Sequence, residues 1–313
     1  MANAEKGAAT LDDAMANLPV LIDPSDQVEE MSKLWHAGLP AGDSTGWPSL
    51  DKHFTVVPGQ FTVITGWPGA GKSEFLDAIL VNLARQRWKF VIFSAENLPV
   101  TLHISKLLEK VIGQPFGQGP TERMTEQQVI EVTNKLSRAF RFIHAPMGAV
   151  TASMILETAQ QYLGALPAGT KKGVVIDPWN ELEHWRPTGL SETEYVSQTL
   201  SLVRTWARDN DTHVFIVAHP QKMRREEGKL PIPRPDMISG SQHWWNKSDC
   251  AISVYRDPET PDAQEVDIHV QKVRFKHVGR PGLVTLLYDR VTGKYREPVN
   301  LTVVEPTKNW VDI

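Results

Sequence analysis

Eight consecutive residues, Gly66-Trp67-Pro68-Gly69-Ala70-Gly71-Lys72-Ser73, fill every fixed position of the phosphate-loop pattern G-x-x-x-x-G-K-[ST]. Their types state the chemistry. Gly66, Gly69 and Gly71 carry no β-carbon, so successive backbone N–H groups can converge on phosphate oxygens. A helix starting at the end of the loop adds the positive end of its dipole. Lys72 neutralises the β- and γ-phosphates of a nucleotide, and the Ser73 hydroxyl is placed to hold Mg²⁺. Pro68 and Ala70 shape the same loop, and Glu74 opens the helix behind it.

Three further side chains stand where a phosphate loop needs company. Asp177 ends the apolar run Val174-Val175-Ile176, the place of a carboxylate that holds the metal opposite Ser73. Glu96 follows Phe93-Ser94-Ala95 at the end of another apolar run, where a carboxylate can orient and deprotonate an attacking water. The bland alternative for Glu96 is an acid favoured by a helix N-terminus. His219 ends Val214-Phe215-Ile216-Val217-Ala218, where a polar side chain can feel the γ-phosphate and relay its loss to the loop beyond.

These residues must be held by strands. Phe61–Thr65 is the apolar strand before the phosphate loop, and residues 74–85 are the amphipathic helix after it. The runs 90–94, 140–144, 174–177 and 214–218 suit parallel strands buried on both faces. Helices are predicted around 102–111 and over 125–140, 151–163 and 192–208. Beyond Cys250 the pattern becomes a meander of strands, 251–255, 265–275 and 283–289, with a turn at 291–294. The fold class is therefore α/β, with a mainly parallel central sheet extended by antiparallel C-terminal strands. Ahead of it, Ser25 or Asp26 is predicted to cap a short helix through Ala37, with Val28, Met31, Leu34 and Trp35 on one face. That face packs either on its own domain or on a neighbouring subunit. The expected organisation is an arm and linker helix over 1–45, a core over 46–297 and a tail over 298–313.

At 313 residues with a net charge of −4, the chain has no global basic field, so any nucleic acid must be met by local cations or by a cleft made on assembly. The single Cys250 excludes an intramolecular disulfide and fits a reducing, cytoplasmic setting such as a bacterial or phage-infected cell, ahead of a mitochondrial matrix. No apolar run approaches a membrane span, and the first residues lack a signal-peptide core. There is no Cys/His zinc-binding set and no room before residue 45 for a primase module. The expectation is a stand-alone protein or a fragment of a longer one.

The phosphate loop, Glu96, Asp177-Pro178-Trp179-Asn180, His219-Pro220 and Ile238-Ser239-Gly240-Ser241 occur in the order found in ring-shaped replicative helicases of the DnaB type. Asp177-Pro178-Trp179-Asn180-Glu181-Leu182 and Ser239-Gly240-Ser241-Gln242-His243-Trp244 most resemble the Twinkle-like group and the helicase half of phage primase–helicases. The resemblance spans about 45–297 and implies a RecA-like P-loop NTPase of six subunits, with nucleotide at the interfaces and single-stranded DNA in the pore. It implies 5′–3′ movement, ATP or another NTP with Mg²⁺ as cofactors, fork DNA as substrate, and a primase or polymerase as possible partner.

Residue by residue, the resemblance makes Glu96 the base, Asp177 the metal ligand and His219 the sensor. Lys272 and Arg274 alternate on one strand and can reach across an interface together. The resemblance makes Arg274 the arginine finger of the neighbouring site and sets Lys272 on the same phosphate. It assigns Arg256 and Tyr288 to the two faces of the nucleotide base. DNA contacts are expected from Lys222, Arg224 and Arg225 in one loop and from Ser239, Gly240, Ser241, Asn246 and Lys247 in the next. Trp244-Trp245 either stacks on bases or packs inside. The competing function is a RecA-like, DNA-dependent ATPase that acts as clamp, recombinase or loader without unwinding.

Overall fold

The computed structural model describes residues 21–145, 150–221, 230–239, 242–257, 259–260 and 263–298. Lys222, Arg224, Arg225, Gly240 and Ser241, all expected at DNA, lie outside the described residues. The chain divides into two compact units, Met1–Pro40 and Ala41–Ile313.

In the first unit, a 3-10 turn over Pro24–Gln27 runs into helix α1, Val28–Ala37. Neither Ser25 nor Asp26 caps α1: Asp23 caps the 3-10 turn, its carboxylate accepting the Ser25 N–H at 2.8 Å, and α1 follows Gln27 with no side-chain cap. Pro24 explains the shift, because a proline with preset φ and no N–H to satisfy suits the first helical position. Val28, Met31, Leu34 and Trp35 share a face as expected, and no residue of α1 is buried.

The second unit opens with Asp43, whose backbone pairs with Val56 and whose carboxylate accepts Trp88 Nε1 at 2.9 Å. After the short helix α2, Pro48–Asp51, come β1, Phe61–Thr65, and α3, Lys72–Ala84. The chain continues through β2, Lys89–Ser94, α4, Val100–Ile112, α5, Glu126–Leu136, β3, Phe140–Phe142, α6, Ala152–Leu163, and β4, Lys172–Asp177. Then follow α7, Glu192–Asp209, β5, Thr212–Val217, α8, His243–Lys247, and β6, Cys250–Tyr255. The meander is β7, Glu265–Val273, β8, Gly282–Tyr288, and β9, Tyr295–Arg296.

The nine strands among the described residues form one sheet in the order β3-β2-β4-β5-β1-β6-β7-β8-β9. From β3 to β6 the neighbours are parallel, and from β6 to β9 antiparallel. The physical distinction is visible in burial. β1 and β5 are buried at every residue because helices cover both faces, whereas β7 and β8 alternate. One core, including Phe75, Ile79 and Leu107, lies under α3 and α4; the other, including Ile155, Leu200 and Trp244, lies under α6, α7 and α8. Capping boxes at Thr125/Gln128 and Ser191/Glu194 start α5 and α7 where the local sequence places them.

Candidate active site

The loop between β1 and α3 is held open by backbone geometry that other residues do not share. A β-carbon on Gly66 would lie 2.4 Å from Val254 O, and Gly71, the residue before α3, has φ of 90°. Lys72 is 6% exposed and its ammonium donates to Gly66 O at 3.0 Å and Trp67 O at 3.2 Å, so the loop is folded around its own lysine. Burial lowers the Lys72 pKa, while Glu96 and Asp177 oppose the shift. Both acids therefore act on the cation that the phosphate loop provides.

Register brings those acids together. β2 and β4 pair with Ser94 opposite Asp177, so both strands end beside the loop. Asp177 is 3% exposed, and Ser94 Oγ donates to its Oδ2 at 3.4 Å. Its Oδ1 is buried with no hydrogen-bond partner. Burial is the first cause that raises the Asp177 pKa from 3.8 to about 6; the Ser73 hydroxyl pulls the other way and Asp77 and Glu96 add to the rise. A buried, unpartnered carboxylate oxygen next to the Ser73 hydroxyl fits a divalent cation. Among the described residues no group of three or more His, Cys, Asp or Glu could hold a metal alone. A cation held there would take its remaining ligands from water and phosphate oxygens, a set of the kind Mg²⁺ accepts.

Glu96 and His219 also meet: Nε2 of the imidazole is 3.5 Å from Oε1 of the carboxylate. The His219 backbone N–H donates to Asn180 Oδ1 at 2.8 Å, tying the end of β5 to the segment after Asp177. Burial, then Lys72, lowers the His219 pKa, which keeps the ring neutral at pH 7. Glu74 is paired behind the loop with Lys106, at 3.2 Å, and with Lys110. The Arg256 guanidinium lies 5.1 Å from the Tyr288 ring centroid, and Tyr288 is 4.9 Å from Tyr295, whose hydroxyl donates to Gly71 O at 3.4 Å. A base between Arg256 and Tyr288 needs roughly 7 Å, two ordinary contact distances, so the pair has to part to admit one.

Lys272 and Arg274 stand elsewhere. β7 runs antiparallel to β6 with Val273 opposite Cys250, and Cys250 is paired with Thr62 at the start of β1. At about 3.3 Å per residue the beginning of β1 is roughly 16 Å from the phosphate loop at its other end. Both cations close on the carbonyl end of α8. Lys272 Nζ donates to Trp245 O and, at 2.7 Å, to Ser248 O. Arg274 Nη2 donates to Asn246 O at 2.9 Å and Ser248 O at 3.1 Å.

The expected DNA residues that are described are largely tethered. Ser239 Oγ donates to Glu192 at 2.7 Å and Lys247 Nζ to Ser201 Oγ at 2.6 Å, whereas the Asn246 side chain is exposed. Trp244 is fully buried, edge-on to Trp179 at 5.0 Å, with Nε1 donating to Ser239 O at 3.0 Å. It packs inside. Trp67 of the phosphate loop donates Nε1 to Pro231 O at 2.9 Å, joining the nucleotide loop to the segment that follows β5.

Residues 42–297 match the family model described as the DnaB-like helicase C terminal domain. This chain belongs to that family.

Other comparisons agree with the DnaB-like assignment. The Twinkle homolog protein, chloroplastic/mitochondrial, of Arabidopsis thaliana is 40% identical over 268 residues, which is 83% of this chain and 37% of that protein. The chain thus spans little more than a third of that relative's length. Among solved structures, the ATPase domain of G40P superposes with a TM-score of 0.74 at 17% identity, covering 88% of this chain and 99% of that one. A DnaB-like replicative helicase, described together with its interactions with primase, gives 0.73 at 18% identity, covering 92% and 70%. At such identities these structures speak for the RecA-like fold alone.

Sequence reasoning about this DnaB-like domain missed two buried acids. Asp77 stands among Phe75, Leu76, Ala78 and Ile79 of α3 and is 2.9 Å from His103 of α4, both buried. A lone acid inside an apolar helical run was its signal, because a buried charge demands a partner. Asp249, 1% exposed in its side chain, collects Arg274, Arg204 and Arg208. Its partners are too scattered in sequence for a local signal.

Proposed function

We propose that this domain is the motor of a replicative DNA helicase that hydrolyses ATP or another NTP with Mg²⁺, moves 5′–3′ on single-stranded DNA and unwinds fork DNA as a hexameric ring. One observation carries the reading: Lys72, Ser73, Glu96, Asp177 and His219 gather at one end of the sheet, while Arg274 and Lys272 lie at the other. A finger at that distance serves another copy's nucleotide, so the pocket is completed by assembly.

In the proposed cycle, Glu96 takes the proton of the attacking water, and neutral His219 at its side senses the γ-phosphate. Lys72 leaves its carbonyl partners for the phosphates. Ser73 and the unpartnered Oδ1 of Asp177 would hold Mg²⁺, which when bound would supply charge neutralisation on the phosphates. Arg274 of the next copy adds a positive charge where charge develops, a contribution of about 10³–10⁵ in rate in GTPases. The bond from Trp67 to Pro231 O gives loop motion a route toward the segment after His219. Lys222, Arg224, Arg225, Ser239, Gly240, Ser241, Asn246 and Lys247 are the proposed backbone contacts to the strand.

A primase or polymerase is the proposed partner class, and a reducing compartment such as the cytoplasm suits Cys250, whose thiol burial pushes up to about 12. No helix among the described residues is long and apolar enough to cross a membrane. Strand separation on a fork with a 5′ single-stranded tail, absent for Lys72→Ala, tests the proposal. ATP turnover on DNA without strand separation would transfer the domain to the clamp or loader class.

A further inference from the structure

Among the described residues, Asp249 is the one carboxylate in a nest of four cations. Its Oδ1 lies 2.9 Å from Arg274 Nε, 3.3 Å from Arg204 Nη2 and 3.8 Å from Arg208 Nη2. Lys272, two residues before Arg274, is bound to the same α8 carbonyls. The two oxygens of Asp249 have separate tasks. Oδ2 accepts Phe61 N–H at 3.1 Å, and the Asp249 main chain donates to Phe61 O at 2.8 Å, so the residue is clamped to the start of β1. Oδ1 faces only guanidinium groups, in ion pairs rather than straight hydrogen bonds.

Arg274 is thereby gripped along one edge. Its backbone N–H donates to Asp249 O at 2.9 Å, Nε is paired with Oδ1, and Nη2 is held by Asn246 O and Ser248 O. Nη1 carries no bond to any described residue. The side chain as a whole remains 29% exposed, so the arginine is not sealed inside its own subunit. Fixing an arginine before its phosphate arrives removes ordering cost from the reaction step.

We propose that Asp249 is the positioning residue of the arginine finger: its buried carboxylate, with the carbonyl end of α8, fixes the Nε and Nη2 side of Arg274 so that Nη1 is offered to the nucleotide of the adjacent copy. This rests on the reading of Arg274 as a finger in trans. Repulsion supports it from the other side. Burial first, then repulsion from Arg274, lowers the Lys272 pKa to about 8, and Asp249 opposes the shift. Trp244 of α8 donates Nε1 to Ser239 O at 3.0 Å, which ties the Ser239 segment to the helix whose carbonyl end holds Arg274.

Asp249→Asn tests the inference, because the amide oxygen keeps an acceptor for Phe61 N–H while an NH2 group replaces Oδ1, removing both the charge and the acceptor that face the arginines. The assembled protein is expected to lose about 10- to 100-fold in kcat for DNA-stimulated ATP hydrolysis, with KM changed by less than about threefold. The loss should lie in trans. Mixing Asp249→Asn with Lys72→Ala creates sites with an intact pocket from the first and an intact finger from the second, so the mixture should exceed the summed activities of the two. Arg274→Ala mixed with Lys72→Ala is the control. If the control is rescued and Asp249→Asn is not, Asp249 acts on its own pocket and the inference fails. If neither is rescued, the finger reading itself falls. A second measurement does not depend on the variant folding: nitrogen NMR of arginine-labelled native protein, assigned by loss of the signal in Arg274→Lys. A slowly rotating Arg274 guanidinium is expected, and free rotation would overturn the proposal.

Discussion

Replacing Asp177 by Asn should stabilise the nucleotide-free protein while destroying the proposed metal site. The folded pKa of about 6 against 3.8 is a rise of about two units, or about 3 kcal/mol at 1.36 kcal/mol per unit. The sign follows from linkage. An acid whose folded pKa is raised leaves stability untouched below pH 4, takes it away progressively between pH 4 and 6, and has removed all of it above pH 6. At pH 8 the full cost of about 3 kcal/mol applies, and at pH 5 about half of it. The amide carries no charge at either pH, so the gap between variant and native protein should halve on going from pH 8 to pH 5. Loss of the same carboxylate takes a partner from Lys72 and trims the gain, which makes 3 kcal/mol a ceiling. For a domain of this size, a gain of 2–3 kcal/mol corresponds to a Tm higher by roughly 4–8 °C. Scanning calorimetry in EDTA without nucleotide, from pH 5 to pH 8, reads both the gap and its slope. Added Mg²⁺ with nucleotide should then raise the Tm of the native protein only. An Asp177→Asn variant melting below the native protein at pH 8, or a gap that ignores pH, would show that Asp177 is satisfied within the fold and not held ready for a cation.

Two other substitutions separate chemistry from packing. Glu96→Gln keeps the size of the side chain beside His219 and removes the proposed base, so single-turnover hydrolysis should fall by about 10²–10⁴ while nucleotide binding persists. An unchanged rate would leave Glu96 as a helix-terminal acid. Trp244→Ala deletes a fully buried indole packed on Trp179, with an expected cost of about 3–5 kcal/mol. Denaturant unfolding should record that cost; a variant of native stability that has lost only single-stranded DNA binding would place the indole at bases instead.

What was legible without the fold was whatever chemistry is local. The phosphate loop is one continuous stretch, and Asp177, Glu96 and His219 each end an apolar run, so a parallel sheet had to bring them to one side. The boundaries of α6, α7 and β4 to β8 followed from periodicity to within a few residues, because caps and strand alternation are written in neighbouring positions. The capping role of Asp23 was missed because Pro24 changes which position starts the turn. Short elements were missed as well. α2 and α8 have four and five residues, too few to show a period, and are held by contacts of Trp47 and Trp244.

Taken alone, the amino-acid order supplied the phosphate-loop pattern, the kind of sheet that carries it and the candidate residues at the strand ends beside it. It could not say that Arg274 lies at the far end of that sheet, that Trp244 is interior, or that Asp249 gathers arginines from α7 and from the end of β7. Those facts depend on which strands become neighbours. Asp249 meets Phe61 across 188 positions of sequence, and only the crossover that lays β6 against β1 makes them adjacent. Local patterns encode the direction and burial of single elements; the partners of a charge are chosen by packing between elements, and no window along the chain contains both.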